Sequence, residues 1–88
     1  MKRIELSRSF IRNHRKRVKV NSKLSIQYGK RVSMFIAGQR GAPLYDHHLT
    51  GDLQGRRAFS ITGDVRVVYI EFKDKIIFLD VGTHNQVY

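Results

Sequence analysis

Two of the four histidines in this sequence stand where they could do chemistry. His47 lies in an irregular stretch, LYDHHLTGDLQG (44–55). His84 follows a strand-like run, in GTHNQVY (82–88), four positions before Tyr88. An imidazole, with an ordinary pKa of about 6.5, can take or give a proton near neutrality. RNA cleavage suits such a pair, because the substrate's own 2′-hydroxyl attacks the adjacent phosphate. The protein then supplies a base for that hydroxyl, an acid for the departing 5′ oxygen and a cation for the charge on phosphorus. Arginine fits the last role through its fixed fork of donors, and an aromatic ring can stack an unpaired base. The second half of the chain contains each kind: His47, Asp64, Arg66, His84 and Tyr88.

Each residue taken singly also has a structural reading. Asp64 suits a tight turn, Tyr88 could fill a hydrophobic gap, and Arg57 or Arg66 could pair with Asp80 or Glu71. His14 lies among Arg12, Arg15, Lys16 and Arg17 and reads as a helix-face residue or a phosphate contact. Asp46-His47-His48 has metal-binding residue types, but adjacent side chains point apart and no (i, i+4) pair accompanies them. No metal and no other cofactor is expected.

The elements that must position these groups follow from pattern. KRIEL (2–6) reads as a short strand. Ser7 or Ser9 can cap a basic helix over about 8–18, with Phe10, His14 and Val18 on one face. Asn21 or Ser22 can cap a second helix that places Leu24, Tyr28, Val32, Phe35 and Ile36 together, with Gly29 inside it at a cost of about 1 kcal/mol. GQRGAP (38–43) ends it through Gly38 or Gly41. Residues 39–55 read as one long irregular connection, and loops of that length are usually functional or disordered. RRAFSI (56–61), a Gly63-Asp64 turn and VRVVYIEF (65–72) form a hairpin. KDK (73–75) leads to IIFLDV (76–81), with Gly82 ending that strand. Arg66 alternates with Val65 and Val67 and so leaves the sheet on the opposite face. The expectation is one α+β domain over 1–88, β-α-α-β-β-β, with two N-terminal helices on a mostly antiparallel sheet.

Charge divides the chain. Residues 1–44 hold 12 Lys and Arg against one acid, a net +11, whereas residues 45–88 hold 5 against 6, a net −1. Such a basic half attracts polyanions and exceeds what solubility needs. The basic stretches lack a wide aromatic face, so a membrane surface fits less well. The absence of cysteine and of any signal-length or membrane-spanning apolar stretch leads to the expectation of a soluble cytoplasmic protein.

The run DHHLTGDLQGRRAFSITGDVRVVY (46–69), followed by GTHNQVY, resembles the second half of the RelE/ParE superfamily of toxins from bacterial type II toxin–antitoxin modules. It is most similar to the YafQ branch, with its D-H-x-L-x-G-x-x-x-G-x-R pattern, its hairpin aspartate, and its G-[ST]-H ending closed by an aromatic. The resemblance implies a ribosome-dependent endoribonuclease that cuts mRNA and is silenced by an acidic antitoxin. It implies Asp64 or His47 as base, His84 as acid, Tyr88 as the base-stacking ring, and Arg66 as the phosphate-neutralising strand arginine of the RelE branch. Arg12, Arg15, Lys16, Arg17, Lys19 and Arg57 would then grip ribosomal RNA. One departure stands out: the YafQ branch has a histidine where this chain has Ser60, which Arg66 or His48 would have to offset. The ParE branch, which acts on DNA gyrase without nuclease chemistry, is the alternative.

Overall fold

The two helices begin where a side-chain oxygen can satisfy orphan backbone donors. In the computed structural model, which describes residues 2–88, the Ser7 hydroxyl accepts from the Phe10 N–H at 3.0 Å and starts α1, Arg8–Arg17. The Asn21 side chain accepts from the Leu24 N–H at 3.0 Å and starts α2, Ser22–Ile36. α2 runs unbroken through Gly29 and stops at Gly38, whose φ of +98° suits a residue without Cβ.

The strands are β1 Arg3–Leu6, β2 His47–His48, β3 Arg57–Ser60, β4 Val65–Glu71 and β5 Lys75–Thr83, ordered β1-β5-β4-β3-β2. β1 lies parallel to β5 and every other pair is antiparallel. The expected α+β architecture is thus present, with three corrections. The 39–55 connection is not wholly irregular: it contains β2 and a 3-10 turn, Gly51–Leu53. Gly82 does not end the last strand but pairs with Arg66 inside it. A short helix, α3 His84–Val87, follows.

Both helices bury their apolar stripes on one face of the sheet. Phe10, Val18 and Phe35 pack with Phe59, Ile61, Val67, Tyr69, Phe78 and Val81, with Leu24, Tyr28 and Val32 at the margin. Ile36, expected on the same stripe, is 44% exposed instead. Phe35 stacks on Phe59 with centroids 4.3 Å apart and meets Tyr69 edge-on at 5.0 Å. The opposite face holds a smaller cluster of Leu49, Ala58 and Val68, joined by Leu53, Leu79 and Val87.

A bulge in β5 reconciles the two faces. Val68 pairs with Asp80 and Tyr69 with Phe78, leaving Leu79 as the extra residue. Phe78 and Val81, three positions apart, would otherwise point to opposite faces; both now reach the helix-side core. Ser7 serves the bulge as well as the helix, its hydroxyl donating to the Leu79 carbonyl at 3.0 Å. On the other side of the bulge, Asp80 accepts from Asn13 Nδ2 at 2.7 Å and from the Val81 N–H at 2.8 Å.

His14 is a packing residue, stacked on Phe10 at 5.9 Å and tilted against Tyr28 at 4.7 Å. Burial, assisted by the charge of Lys19, holds its imidazole below the ordinary 6.5. Below pH 6.5 the unfolded chain therefore binds more protons here than the fold does, and stability present above 6.5 is lost as pH falls through it. The denaturant midpoint is expected to drop between pH 7.5 and 5.5, above the carboxylate range in which the Glu71–Lys2 pair begins to fail. His14→Gln is expected to flatten that dependence; an unchanged pH slope would contradict the assignment.

Candidate functional site

The strand register sorts the candidate residues by face. His47 pairs with Ala58, Ala58 with Val68, Ser60 with Arg66, and Arg66 with Gly82. His47, Ser60, Arg66 and Gly82 therefore share the face opposite the helices. His48 pairs with Arg57 and Arg57 with Tyr69, which places those three on the helix side.

The loop that carries His47 is anchored by the residue before it. The Asp46 side chain has no solvent exposure. It accepts from Arg57 Nε at 2.8 Å, from Arg57 Nη2 and from the Tyr69 hydroxyl, and Arg40 Nε lies 3.8 Å away. A buried carboxylate is tolerable only when its lone pairs are met by cations and donors, and here they are. Burial, with Asp46 next in strength, pushes the Tyr69 phenol well above its ordinary range, so it remains a donor. Arg57 is thereby committed to the interior. Its Nη1 also meets His48 Nε2 at 2.7 Å, which turns that ring nitrogen away from the His47 face.

With Asp46 fixed, His47 is oriented. Its Nδ1 lies 2.9 Å from the Tyr45 carbonyl, which can only accept. Nδ1 therefore carries a proton, which leaves Nε2 as the nitrogen able to exchange one. Tyr45 itself has a φ of +48°, uncommon for a residue with a Cβ. A cavity of about 340 Å³ opens beside His47, lined also by Arg31, Tyr45, Ser60, Thr62 and Arg66. Ser60 is 8% exposed, at the cavity wall. Arg66 donates to the Asp64 backbone carbonyl at 3.2 Å, and among the described residues no carboxylate pairs with it. Asp64 itself is exposed on the hairpin.

On the other flank, α3 brings up the tail. Gln86 folds back and accepts from the Thr83 N–H at 2.8 Å. That fold lies over Gly82, where a Cβ would sit 2.6 Å from Gln86 Oε1 and 2.8 Å from Arg17 Nη1. Arg17, tied to the Val81 carbonyl at 3.0 Å and to Asp80 at 3.4 Å, completes the clamp. Held this way, His84 meets Tyr88 edge-on at 4.4 Å, and the Arg66 guanidinium lies 6.0 Å from the Tyr88 ring. Burial pushes the Tyr88 phenol up, opposed by Arg66. A second cavity beside the site is lined by both His47 and Tyr88.

The structure thus groups His47, Ser60 and Arg66 around one cavity and sets Tyr88 with His84 against Arg66. The basic residues divide. Arg12, Arg15, Lys16 and Lys19 are exposed on or just beyond α1, whereas Arg17 and Arg57 are engaged internally. Arg31 and Tyr45 were not picked out from the sequence, and Asp46, weighed there as a metal ligand, is instead the buried anchor of the loop. No group of three or more His, Cys, Asp or Glu able to hold a metal occurs among the described residues.

A protein-family model described as "Bacterial toxin of type II toxin-antitoxin system, YafQ" matches residues 2–88. Among solved structures, YafQ from E. coli strain BL21(DE3) is similar with a TM-score of 0.78 at 20% identity, covering 100% of this chain and 99% of that one. YafQ in an E. coli DinJ–YafQ complex is similar with a TM-score of 0.78 at 22% identity, with coverage of 100% and 99%. At these identities the E. coli structures speak to the fold alone. A metal-bound toxin from Helicobacter pylori reaches 28% identity with a TM-score of 0.78, each chain covered in full. No curated protein sequence matches.

The geometry generates two expectations. Asp46→Asn removes the charge that Arg57 requires and is expected to destabilise the fold by about 3 kcal/mol or more in denaturant titration; a loss under about 1 kcal/mol would show that the network is dispensable. Gly82→Ala is expected to cost about 1–3 kcal/mol and to speed amide exchange at Tyr88, whose N–H bonds the His84 carbonyl. Unchanged exchange there would mean that the tail accommodates a Cβ.

Proposed function

This chain belongs to the YafQ family of toxins of bacterial type II toxin–antitoxin systems, and from that premise we propose that it is a metal-independent, ribosome-dependent mRNA endoribonuclease acting in the cytoplasm. The observation that carries the reading is His47. Its Nδ1–H is tied to the Tyr45 carbonyl, which leaves Nε2 to exchange a proton, in a cavity it shares with an Arg66 unpaired by any carboxylate among the described residues.

In the proposed reaction His47 Nε2 takes the proton of the 2′-hydroxyl. The 2′ oxygen bonds to phosphorus as the bond from phosphorus to the 5′ oxygen breaks, and protonated His84 gives its proton to that oxygen. The products are a 2′,3′-cyclic phosphate and a 5′-hydroxyl. Arg66 offers fixed donors to the charge that builds on the phosphoryl oxygens, and Tyr88 stacks a base flanking the cut. The fixing of His47 Nδ1 on the Tyr45 carbonyl favours it over Asp64 as base. The backbone carbonyl of Asp64 orients Arg66, while Asp64 itself is exposed on the hairpin.

The exposed cations on and just beyond α1, Arg12, Arg15, Lys16 and Lys19, suit ribosomal RNA. The same surface suits an acidic antitoxin, in keeping with the YafQ chains found in complex with DinJ.

In a bacterial cell-free translation reaction, primer extension is expected to show cuts in mRNA that require both ribosomes and protein. His47→Ala and His84→Ala are each expected to lower cutting by about 10²–10⁴-fold, and Arg66→Ala by about 10²–10³-fold, with folded protein in each case. Undiminished cutting by His84→Ala would remove its role as acid. Intact mRNA with trapped gyrase–DNA complexes would favour the ParE-like alternative.

A further inference from the structure

The cavity beside His47 holds a second guanidinium that the cleavage scheme does not use. Two guanidiniums, Arg31 from α2 and Arg66 from β4, line it together. The guanidiniums of Arg3, Arg17, Arg40 and Arg57 all meet carboxylates, but neither Arg31 nor Arg66 does among the described residues. Arg31 is nonetheless held in place. Its Nη1 donates to the Pro43 carbonyl at 3.0 Å. Gln27, with its amide oxygen turned toward the guanidinium, accepts from Nε at 3.0 Å and from Nη2 at 2.7 Å. Neutral acceptors thus orient the group without cancelling its charge, and spare N–H donors remain on both terminal nitrogens. Two such charges in one concavity focus a positive field on whatever enters it.

Tyr45 supplies the second half of a recognition element. Its ring is 64% exposed, and its backbone is held left-handed, braced by its own N–H to the Gly41 carbonyl at 3.2 Å and by the buried Asp46 that follows. A residue with a Cβ in that region is held against a local cost, and such positions persist where the surroundings over-determine them. About 340 Å³ lies at the small end of ligand pockets, the scale of one nucleotide.

We infer that Arg31, Arg66 and Tyr45 form a subsite for one nucleotide of single-stranded RNA next to the scissile bond, the arginines holding its phosphate and Tyr45 stacking its base. The inference rests on the nuclease reading for what lies at His47, but the subsite is a binding property that can be read without cleavage.

The probe is a 5′-phosphorylated 2′-O-methyl tetraribonucleotide, whose blocked 2′ oxygen prevents cutting, titrated into the full chain at fixed low salt and followed by NMR. Shifts are expected to concentrate at Arg31, Tyr45, Thr62 and Arg66. Arg31→Ala is expected to weaken binding roughly tenfold and to lower the salt dependence by about one charge. Tyr45→Asn, which keeps tolerance of the left-handed backbone but removes the ring, is expected to weaken binding roughly tenfold, and Tyr45→Phe to leave it near wild type. Lys73→Ala, in an exposed turn away from the cavity, serves as the control and should change little. Wild-type affinity in Arg31→Ala and Tyr45→Asn, or shifts confined to α1, would overturn the subsite. Translation-coupled cutting is followed in parallel. No cutting with the oligonucleotide result intact would remove the nuclease and leave the subsite. Persistent cutting with unaltered affinity would remove the subsite and leave the nuclease.

Discussion

The architecture of the site depends on one carboxylate taken wholly out of water. Asp46 joins the loop after α2 to β3 through Arg57 and to β4 through Tyr69, with Arg40 approaching from the helix end. Isolated in the interior, such a charge would cost several kcal/mol. Surrounded by donors, it ties the loop to two strands of the core. The strand it precedes has only two residues, too short to hold an edge by ladder bonds alone. Tyr45 and His47 flank this anchor, so the proposed base and the exposed ring are set by packing rather than by loop preference.

The site has two kinds of arginine, and the difference is electrostatic. Arg57 and Arg17 face carboxylates and act as structural clamps, the first inside the helix-side edge and the second over Gly82. Arg31 and Arg66 are oriented by carbonyl and amide oxygens, which fix direction but leave the charge uncompensated. A polyanion is drawn to the second kind, because no internal salt bridge must break when it binds. This division separates the positive charge that builds the fold from the positive charge open to a partner.

Much of the architecture was legible in the sequence because it rests on short-range signals. Ser7 and Asn21 stand at caps, the period-2 alternation of VRVVYIEF marks β4, and Phe10 and Val18 keep a helical spacing. Alternation also put Arg66 on the correct face. What escaped detection depends on distant pairing or on context. Gly82 reads as a terminator because glycine usually is one; only the Gln86 and Arg17 side chains above it show why it lies within a strand. Asp46 reads as a possible metal ligand or loop acid, since its partners stand 11 and 23 positions away. Arg31 is one cation among many until α2 is laid beside Pro43. The shared face of His47, Arg66 and the tail could not be derived without the strand register, and the family resemblance stood in for it.

The bulge at Leu79 fixes the phase of everything that follows it. Upstream, β5 alternates in step with the helix-side core through Phe78; downstream, the step is reset so that Val81 points inward and Gly82 outward. Losing a single residue between Phe78 and Val81 would remove the bulge yet leave the two a regular two positions apart, both still on the helix side. Losing two would make them neighbours, turn Val81 out, and carry Gly82, Thr83 and the start of α3 to the wrong side of the sheet. Length changes in this segment are thus graded by parity rather than by size. A lineage could vary the hairpin turns freely, yet here it would be held to a count that keeps Val81 inward, with the bulge or without it.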